Sequence, residues 1–148
     1  MALSIDDRLA IEELLYDYAT AMEVGTEDDL VALFTGDCAL DSVVHGDKSG
    51  EEVIREKSRR SQKNRHLYRL RRMFTNFRIN GDGDRAHMTA CFAEFLTYLT
   101  PKPNNPYPTS ELIYVGEFDC DVRKVDGKWL FERRGVSVDS HLGVKSGQ

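Results

Sequence analysis

The chain lacks the features that would assign it to a membrane, a secretory pathway or a disulfide-stabilised class. Its 148 residues contain no apolar run of the ~18 residues that a membrane-spanning helix needs. The first residues do not follow the pattern of a secretory signal. The three cysteines, Cys38, Cys91 and Cys120, are odd in number, far apart and without CxxC spacing. We therefore expect a cytoplasmic protein with reduced thiols and no membrane partner.

A concentrated positive charge is also missing. The net charge is -5 at pH 7, whereas nucleic-acid binding needs a strongly basic face. The one basic stretch, at residues 55–72, has the pattern of a solvated helix face followed by an arginine-rich strand. No nucleic-acid partner is expected.

Several catalytic motifs are absent as well. No GxGxxG follows a predicted strand, and neither GxxxxGK[ST] nor GxSxG occurs. The spacing of His, Cys and Asp residues matches no zinc or iron site. The sequence therefore predicts neither a cofactor nor a metal.

Three positions carry the signature of a helix start, a hydroxyl residue followed three positions later by a carboxylate. They are Ser4 with Asp7, Thr26 with Asp29, and Ser49 with Glu52. The apolar spacing then predicts a first helix that ends at Gly25, and two further helices at about residues 27–34 and 50–63.

The remaining apolar segments are typical of strands, and most of them are long. They lie at about residues 38–44, 70–79, 85–99, 112–125 and 128–139. Strands of this length curl, and Gly116 is a plausible bend point. The order predicts one α+β domain over residues 1–148, a cone-shaped curved mixed or antiparallel sheet wrapped around three N-terminal helices. Such a cone encloses an apolar cavity at its open end, a usual place for a small ligand.

Four segments carry a resemblance to a known family: IEELLYDYATAME, DLVALF, RRMFTNFRINGDGDRA and VGEFDCDVRKVDGKWLFERRGVSVD. In order and spacing they resemble the SnoaL-like branch of the nuclear transport factor 2-like (cystatin-like) superfamily, over residues 5–140. The resemblance implies an α+β barrel. The branch includes scytalone-type dehydratases, polyketide cyclases, dehydrochlorinases and steroid isomerases, and also the non-catalytic β subunits of aromatic-ring dioxygenases.

The resemblance also implies where catalytic groups would lie. Dehydratase-like members pair a carboxylate late in the first helix with a histidine on the first long strand. These positions fall on Glu23 and Arg72, which implies a buried ion pair. Arginine keeps its proton at ordinary pH and cannot act as the base. The chain ending also resembles the dioxygenase β subunits, which carry no such pair.

Candidate catalytic residues were chosen by the chemistry that each side chain offers. Tyr18 lies on the apolar stripe of the first helix, and its hydroxyl could polarise a carbonyl group. Asp41 interrupts an apolar strand, and alternation allows it to face either solvent or the interior, where a carboxylate is suited to proton transfer. His45 shares its face if no bulge intervenes. The predicted catalytic set is Glu23, Asp41, Tyr18, Arg72 and His45.

Candidate ligand-binding residues were chosen by strand alternation and helix spacing. Glu94 interrupts an apolar strand, so it must face a cavity or interface, or be neutralised by Arg133 or Arg134. The predicted ligand-binding set is Asn76, Tyr98, Tyr114, Met22, Phe74 and Glu94.

Two functions remain open at this point. The first is a cofactor-independent lyase or isomerase, of the dehydratase or cyclase type, for a hydrophobic oxygenated molecule such as a polyketide, an aromatic or a steroid-like compound. The second is a non-catalytic partner, either a dioxygenase β-like subunit or a ligand-binding module. The outer face of the sheet is expected to form a homo-oligomer, a dimer or trimer.

Overall fold

The computed structural model describes residues 1–42, 47–101 and 103–141, which form three helices and six strands. The elements are α1 (Ile5–Val24), α2 (Glu27–Val31), β1 (Phe34–Ser42), β2 (Lys48–Ser49), α3 (Glu51–Lys63), β3 (Tyr68–Asp82), β4 (Arg85–Tyr98), β5 (Ser110–Val125) and β6 (Lys128–His141). None of these helices is both long and apolar enough to cross a membrane.

The strands form one curved, unclosed sheet in the order β2-β1-β6-β5-β4-β3. β1 runs parallel to β6, and the other neighbours are antiparallel. The helices lie against the inner face, so the predicted α+β cone is confirmed. The hairpin between β5 and β6 turns at Asp126 and Gly127, whose φ angles of 50° and 80° are those of a tight primed turn.

The first two predicted helix starts are confirmed. Ser4 and Thr26 each accept a backbone N–H from the aspartate three residues on, and that aspartate accepts from the backbone N–H of the capping residue. The third is wrong. Ser49 pairs with Ala39 across β1 and β2, so the helix begins after Gly50, which makes no side-chain cap.

The second helix is shorter than predicted, because its last turn is replaced by the start of β1. Phe34 pairs with Phe131 of β6, and the Phe131 amide donates to the carbonyl of Leu33. The two rings lie 5.1 Å apart between centroids. This aromatic contact joins the end of the helical segment to the parallel pair of strands.

The core is formed where the apolar stripe of α1 meets the concave face of the sheet. Tyr18, 1% exposed, makes edge contacts with Phe34, Phe118 and Phe131 at centroid distances of 5.9–6.3 Å. The sheet bends at Gly116, as predicted. A Cβ there would collide with the carbonyl oxygen of Ser137, and the strand register shifts at this point.

Candidate active site in the cone

A cavity of about 190 Å³ lies between α1, α3 and the concave face of the sheet. All four long strands and both long helices contribute to its wall. Its lining comprises Tyr18 and Met22 of α1, Lys57, Arg60 and Ser61 of α3, Asn64, Tyr68, Leu70 and Arg72 of β3 and the turn before it, Phe92 and Glu94 of β4, Tyr114 and Phe118 of β5, and Arg134, Val136 and Val138 of β6.

The central polar feature of the cavity is an ion pair between Arg72 and Glu94. The two residues face each other in the β3–β4 register, and Arg72 Nη2 lies 2.7 Å from Glu94 Oε1. Their side chains are 11% and 8% exposed. At this burial the pair is strongly interdependent, because either charge alone would be left in a poorly solvated site.

The predicted pairing of Arg72 with Glu23 is wrong. Glu23 instead pairs with Arg71, at 3.2 Å, and it lies outside the cavity lining. The reason is register: strand alternation turns Arg72 inward to the carboxylate directly opposite it, Glu94. Arg71 faces the outer side of the same strand. Because β3 is the edge strand of the sheet, the Arg71 side chain can still reach Glu23 at the end of α1.

The structure does not place Asp41 in the cavity. Leu40 faces the core, so its neighbour Asp41 faces the outer side of the sheet, where it accepts from Arg133 at 3.0 Å. Arg133 also pairs with Asp119 and Asp121 there. Of the two orientations considered for Asp41, the outward one is therefore observed, and its place in the predicted catalytic set is wrong. His45 lies outside the described residues.

Four of the remaining candidates lie in the cavity wall: Tyr18, Met22, Tyr114 and Glu94. Asn76, Tyr98 and Phe74 do not. Phe74 packs in the core with its ring 5.3 Å from that of Phe118. The Tyr98 hydroxyl, at the end of β4, donates to the carboxylate of Glu111 at the start of β5.

Asn76 is turned away from the cavity by an irregularity that alternation does not reveal. The β3–β4 register shifts between Thr75 and Arg78, and Asn76 adopts a φ of 56°. Inward-facing positions therefore change parity within β3, and Asn76 is exposed.

Lys57 is a cavity residue that the sequence analysis missed. It follows Ile54 by one helical turn and precedes Ser61 by another, so the buried face of α3 carries it inward. Burial lowers the pKa of its ammonium group well below the usual value, and the positive charges of Arg134 and Arg72 lower it further. The amine forms no hydrogen bond or salt bridge with any residue in the described ranges.

Arg134 completes the polar wall. It is 4% exposed, and its guanidinium carbon lies 5.4 Å from the ring centroid of Tyr18 and 5.8 Å from that of Phe118. Its Nε is buried without a hydrogen-bond partner. From the sequence, Arg134 was expected only as one of two arginines that could neutralise Glu94, but Arg72 has that role.

The cavity wall contains no histidine among the residues that the structure describes. Within the same part of the chain, no group of three or more His, Cys, Asp or Glu side chains is arranged to hold a metal ion. His87 lies on the outer face of the sheet, with its Nδ1 2.8 Å from Asp121 Oδ1.

The sequence model of the SnoaL-like domain matches residues 3–135. The chain belongs to this family. No curated protein matches it in sequence.

Solved structures share the SnoaL-like fold over nearly the whole chain. A cystatin-like protein of unknown function from Nostoc punctiforme is 26% identical, with 94% of this chain and 96% of that chain covered and a TM-score of 0.70. A Novosphingobium aromaticivorans protein provisionally named scytalone dehydratase is 20% identical, with coverage of 92% and 86% and a TM-score of 0.75. A hexachlorocyclohexane dehydrochlorinase is 17% identical, with coverage of 92% and 87% and a TM-score of 0.72.

Proposed function

We propose that this SnoaL-like protein is a cofactor-independent lyase or isomerase that acts on a small hydrophobic oxygenated molecule held in the cavity. The observation that carries the proposal is the place of the Lys57 amine in the cavity wall, where desolvation lowers its pKa and makes it available as a base. It lies in a wall that is otherwise mostly apolar, with the Arg72–Glu94 pair beside it. The dehydratase and dehydrochlorinase names of two structural neighbours are those of elimination enzymes.

The proposed chemistry starts with removal of a proton from a carbon next to a carbonyl group. The unprotonated Lys57 amine takes the proton, and the Tyr18 hydroxyl donates a hydrogen bond to the carbonyl oxygen as negative charge develops there. The electron pair of the broken C–H bond then expels a β-hydroxyl, which leaves as water with the proton from Lys57. In an isomerisation, Lys57 returns the proton to another carbon of the same molecule.

Hydrogen exchange at the α carbon tests the step that elimination and isomerisation share. The purified protein is incubated in D2O with a panel of small aromatic and alicyclic β-hydroxy ketones and enones, and deuterium uptake and product formation are followed by NMR. The wild-type protein should accelerate exchange, and Lys57→Met should lose about 10²–10⁴-fold of that rate. Lys63→Met, at an exposed lysine at the end of the same helix, is the matched control.

The proposal fails if Lys57→Met exchanges the α proton as fast as wild type. It also fails if no member of the panel exchanges while the same molecules are shown to bind. The second result would favour the alternative function, a non-catalytic ligand-binding module or dioxygenase β-like partner.

That alternative has one observation in its favour. The position implied for the family histidine is occupied by Arg72, which is already engaged with Glu94. An inert cavity of this kind would bind a ligand without turning it over. Copurification with a larger iron–sulfur protein would support the partner role, and a stable stand-alone oligomer would count against it.

The cysteines support a cytoplasmic location for this activity. All three are free; Cys38 and Cys120 are buried, and burial raises the pKa of the Cys120 thiol to about 12. Thiols held in this form are stable in a reducing compartment.

A further inference from the structure

We propose that the cavity selects a small apolar carboxylate, and that Arg134 is the residue that binds its anionic group. This inference rests on the proposed function only in that both concern the same cavity, and it names the class of molecule that enters. It is carried by the position of Arg134 and by the balance of charge around it.

Arg134 and its neighbour Arg133 face opposite sides of β6 and have opposite surroundings. The outward guanidinium of Arg133 pairs with Asp41, Asp119 and Asp121. The inward guanidinium of Arg134, in a residue only 4% exposed, forms no hydrogen bond or ion pair with any described residue. Burying a charged group without a partner costs free energy, so such an arginine is unusual unless a bound ligand supplies the missing partner.

The aromatic contacts of Arg134 leave its hydrogen-bonding edge available. Tyr18 and Phe118 interact with the guanidinium as cation–π partners, but neither ring accepts the N–H groups in the way that an oxygen would. A guanidinium presents two parallel N–H groups that match the two oxygens of a carboxylate. The geometry therefore suits a planar oxyanion better than a neutral oxygen.

The charges of the other cavity residues agree with an anionic ligand. Glu94 is within 2.7 Å of Arg72 and offsets that charge, whereas Arg134 has no carboxylate of its own. The remaining ionisable group deep in the wall is Lys57, which adds positive charge whenever it is protonated. The cavity thus has at least one positive charge in excess, which a monoanion would balance.

The other wall residues and the cavity volume indicate the polarity and size of the part of the ligand that lies beyond its carboxylate. Met22, Leu70, Phe92, Val136 and Val138 are apolar. The volume of about 190 Å³ is below the ~300–1,000 Å³ typical for drug-sized molecules. The ligand is therefore a small carboxylic acid with an aromatic or alicyclic body.

Direct binding tests this inference without requiring any turnover. Benzoate and cyclohexanecarboxylate are titrated into the wild-type protein by calorimetry and ligand-observed NMR, and each is compared with its neutral amide. The carboxylates should bind about tenfold more tightly than the amides, or better, since a charge-assisted pair replaces a neutral one. Arg134→Met should remove that preference. Arg134→Lys should retain only part of it, because lysine keeps the positive charge but lacks the two parallel N–H groups of the guanidinium.

Two further measurements separate a ligand-binding arginine from a structural one. Arg133→Gln, on the outer face, should leave carboxylate affinity unchanged. Arg134→Met should unfold at the same or a higher urea concentration than wild type, because a buried unpaired charge is removed; a structural arginine would give a lower midpoint. The inference is overturned if neither carboxylate binds, if amides bind as tightly as carboxylates, or if Arg134→Met retains the preference. Carboxylate binding without proton exchange would contradict only the proposed enzyme activity.

Discussion

At the scale of single residues, Arg72 and Glu94 depend on one another more than on their surroundings. Removing either charge leaves the other buried without its partner, so Glu94→Gln and Arg72→Met should each lower the free energy of unfolding by about 3–5 kcal/mol. The double variant Arg72→Met/Glu94→Leu should cost less than either single change. Urea denaturation of the three variants gives the coupling energy.

The adjacent surface pair is the control for this cycle. Arg71, 57% exposed, pairs with Glu23, and Arg71→Met should cost less than about 1 kcal/mol. If the losses in free energy of unfolding of the two single variants simply add in the double variant, Arg72 and Glu94 are not coupled as the geometry indicates.

Lys57 should make the stability of the protein depend on pH in the opposite direction from a salt-bridged lysine, whose pKa is raised. Its pKa is lowered in the folded state, so between that value and the usual 10.5 the unfolded chain holds a proton that the folded chain does not. Lys57 therefore destabilises the fold at neutral pH, and this penalty disappears as the pH rises through 10.5.

Lys57→Met should accordingly stabilise the protein at pH 7, by about 1–3 kcal/mol, the cost of an unsatisfied buried polar group. The gain should shrink when urea denaturation is repeated near pH 10. A variant that is less stable at pH 7, or whose stability difference does not change with pH, would contradict the burial of the amine.

At the scale of elements, Asp7 joins the start of α1 to the β5–β6 hairpin. Its carboxylate caps the helix with Ser4 and accepts from Lys124 Nζ at 2.8 Å and Trp129 Nε1 at 2.9 Å. Hydrogen bonds from Lys124, Trp129 and Ser4 hold the pKa of Asp7 well below its usual value. The ionised carboxylate therefore contributes stability that is fully present above its unfolded-state pKa, near 4, and is lost as the pH falls below it.

Asp7→Asn should thus lower the urea midpoint at pH 7, and lower it further than Ser4→Ala, which removes only the cap. The difference between wild type and Asp7→Asn should narrow when both are measured at pH 3, because the carboxylate of the unfolded wild-type chain is then largely protonated while that of the folded chain is not, which favours unfolding. An equal difference at both pH values would exclude Asp7 as an ionised link between the two elements.

The helix starts and the cavity residues show which parts of this structure can be predicted from the sequence. The caps at Ser4 and Thr26 follow from residues three positions apart, so local sequence is sufficient. Ser49 has the same local pattern, but pairing with distant Ala39 overrides it. Similarly, the family resemblance implied a place for Arg72 in the site, whereas the bulge at Asn76 has no signature in the alternation of apolar residues.

The two missed cavity residues were hidden for different reasons. Lys57 lies one turn from Ile54, a spacing that could have placed it inward, but it stands in a helix crowded with charges that form surface ion pairs. Arg134 was named only as one of two arginines that could neutralise Glu94, and the structure gives that role to Arg72. Partner choice depends on the register of β3 against β4, which the sequence of either strand alone does not determine.

At the scale of the whole molecule, the outer face of the sheet divides into a charged half and an apolar half. The charged half is centred on Arg133 and its three aspartates. The apolar half runs across β3, β4 and β5, where neighbouring strands pair Met73 with Ala93, Ala93 with Val115, and Phe95 with Leu112. Met73 is 60% exposed there. Exposed apolar side chains grouped on one face are typical of an interaction surface, and they favour the homo-oligomer expected from the sequence.

A charge placed in this patch should therefore separate the subunits without disturbing the cavity on the opposite face. In a two-fold symmetric dimer each substitution occurs twice, so Met73→Glu should raise the dimer dissociation constant by about a hundredfold or more. Light scattering coupled to size-exclusion chromatography over a range of concentrations measures this directly. Leu9→Glu, at an apolar residue 55% exposed on α1, is the control and should leave the mass unchanged. Wild-type protein that stays monomeric at every concentration, or a Met73→Glu variant as dimeric as wild type, would exclude the outer face of β3–β5 as the interface.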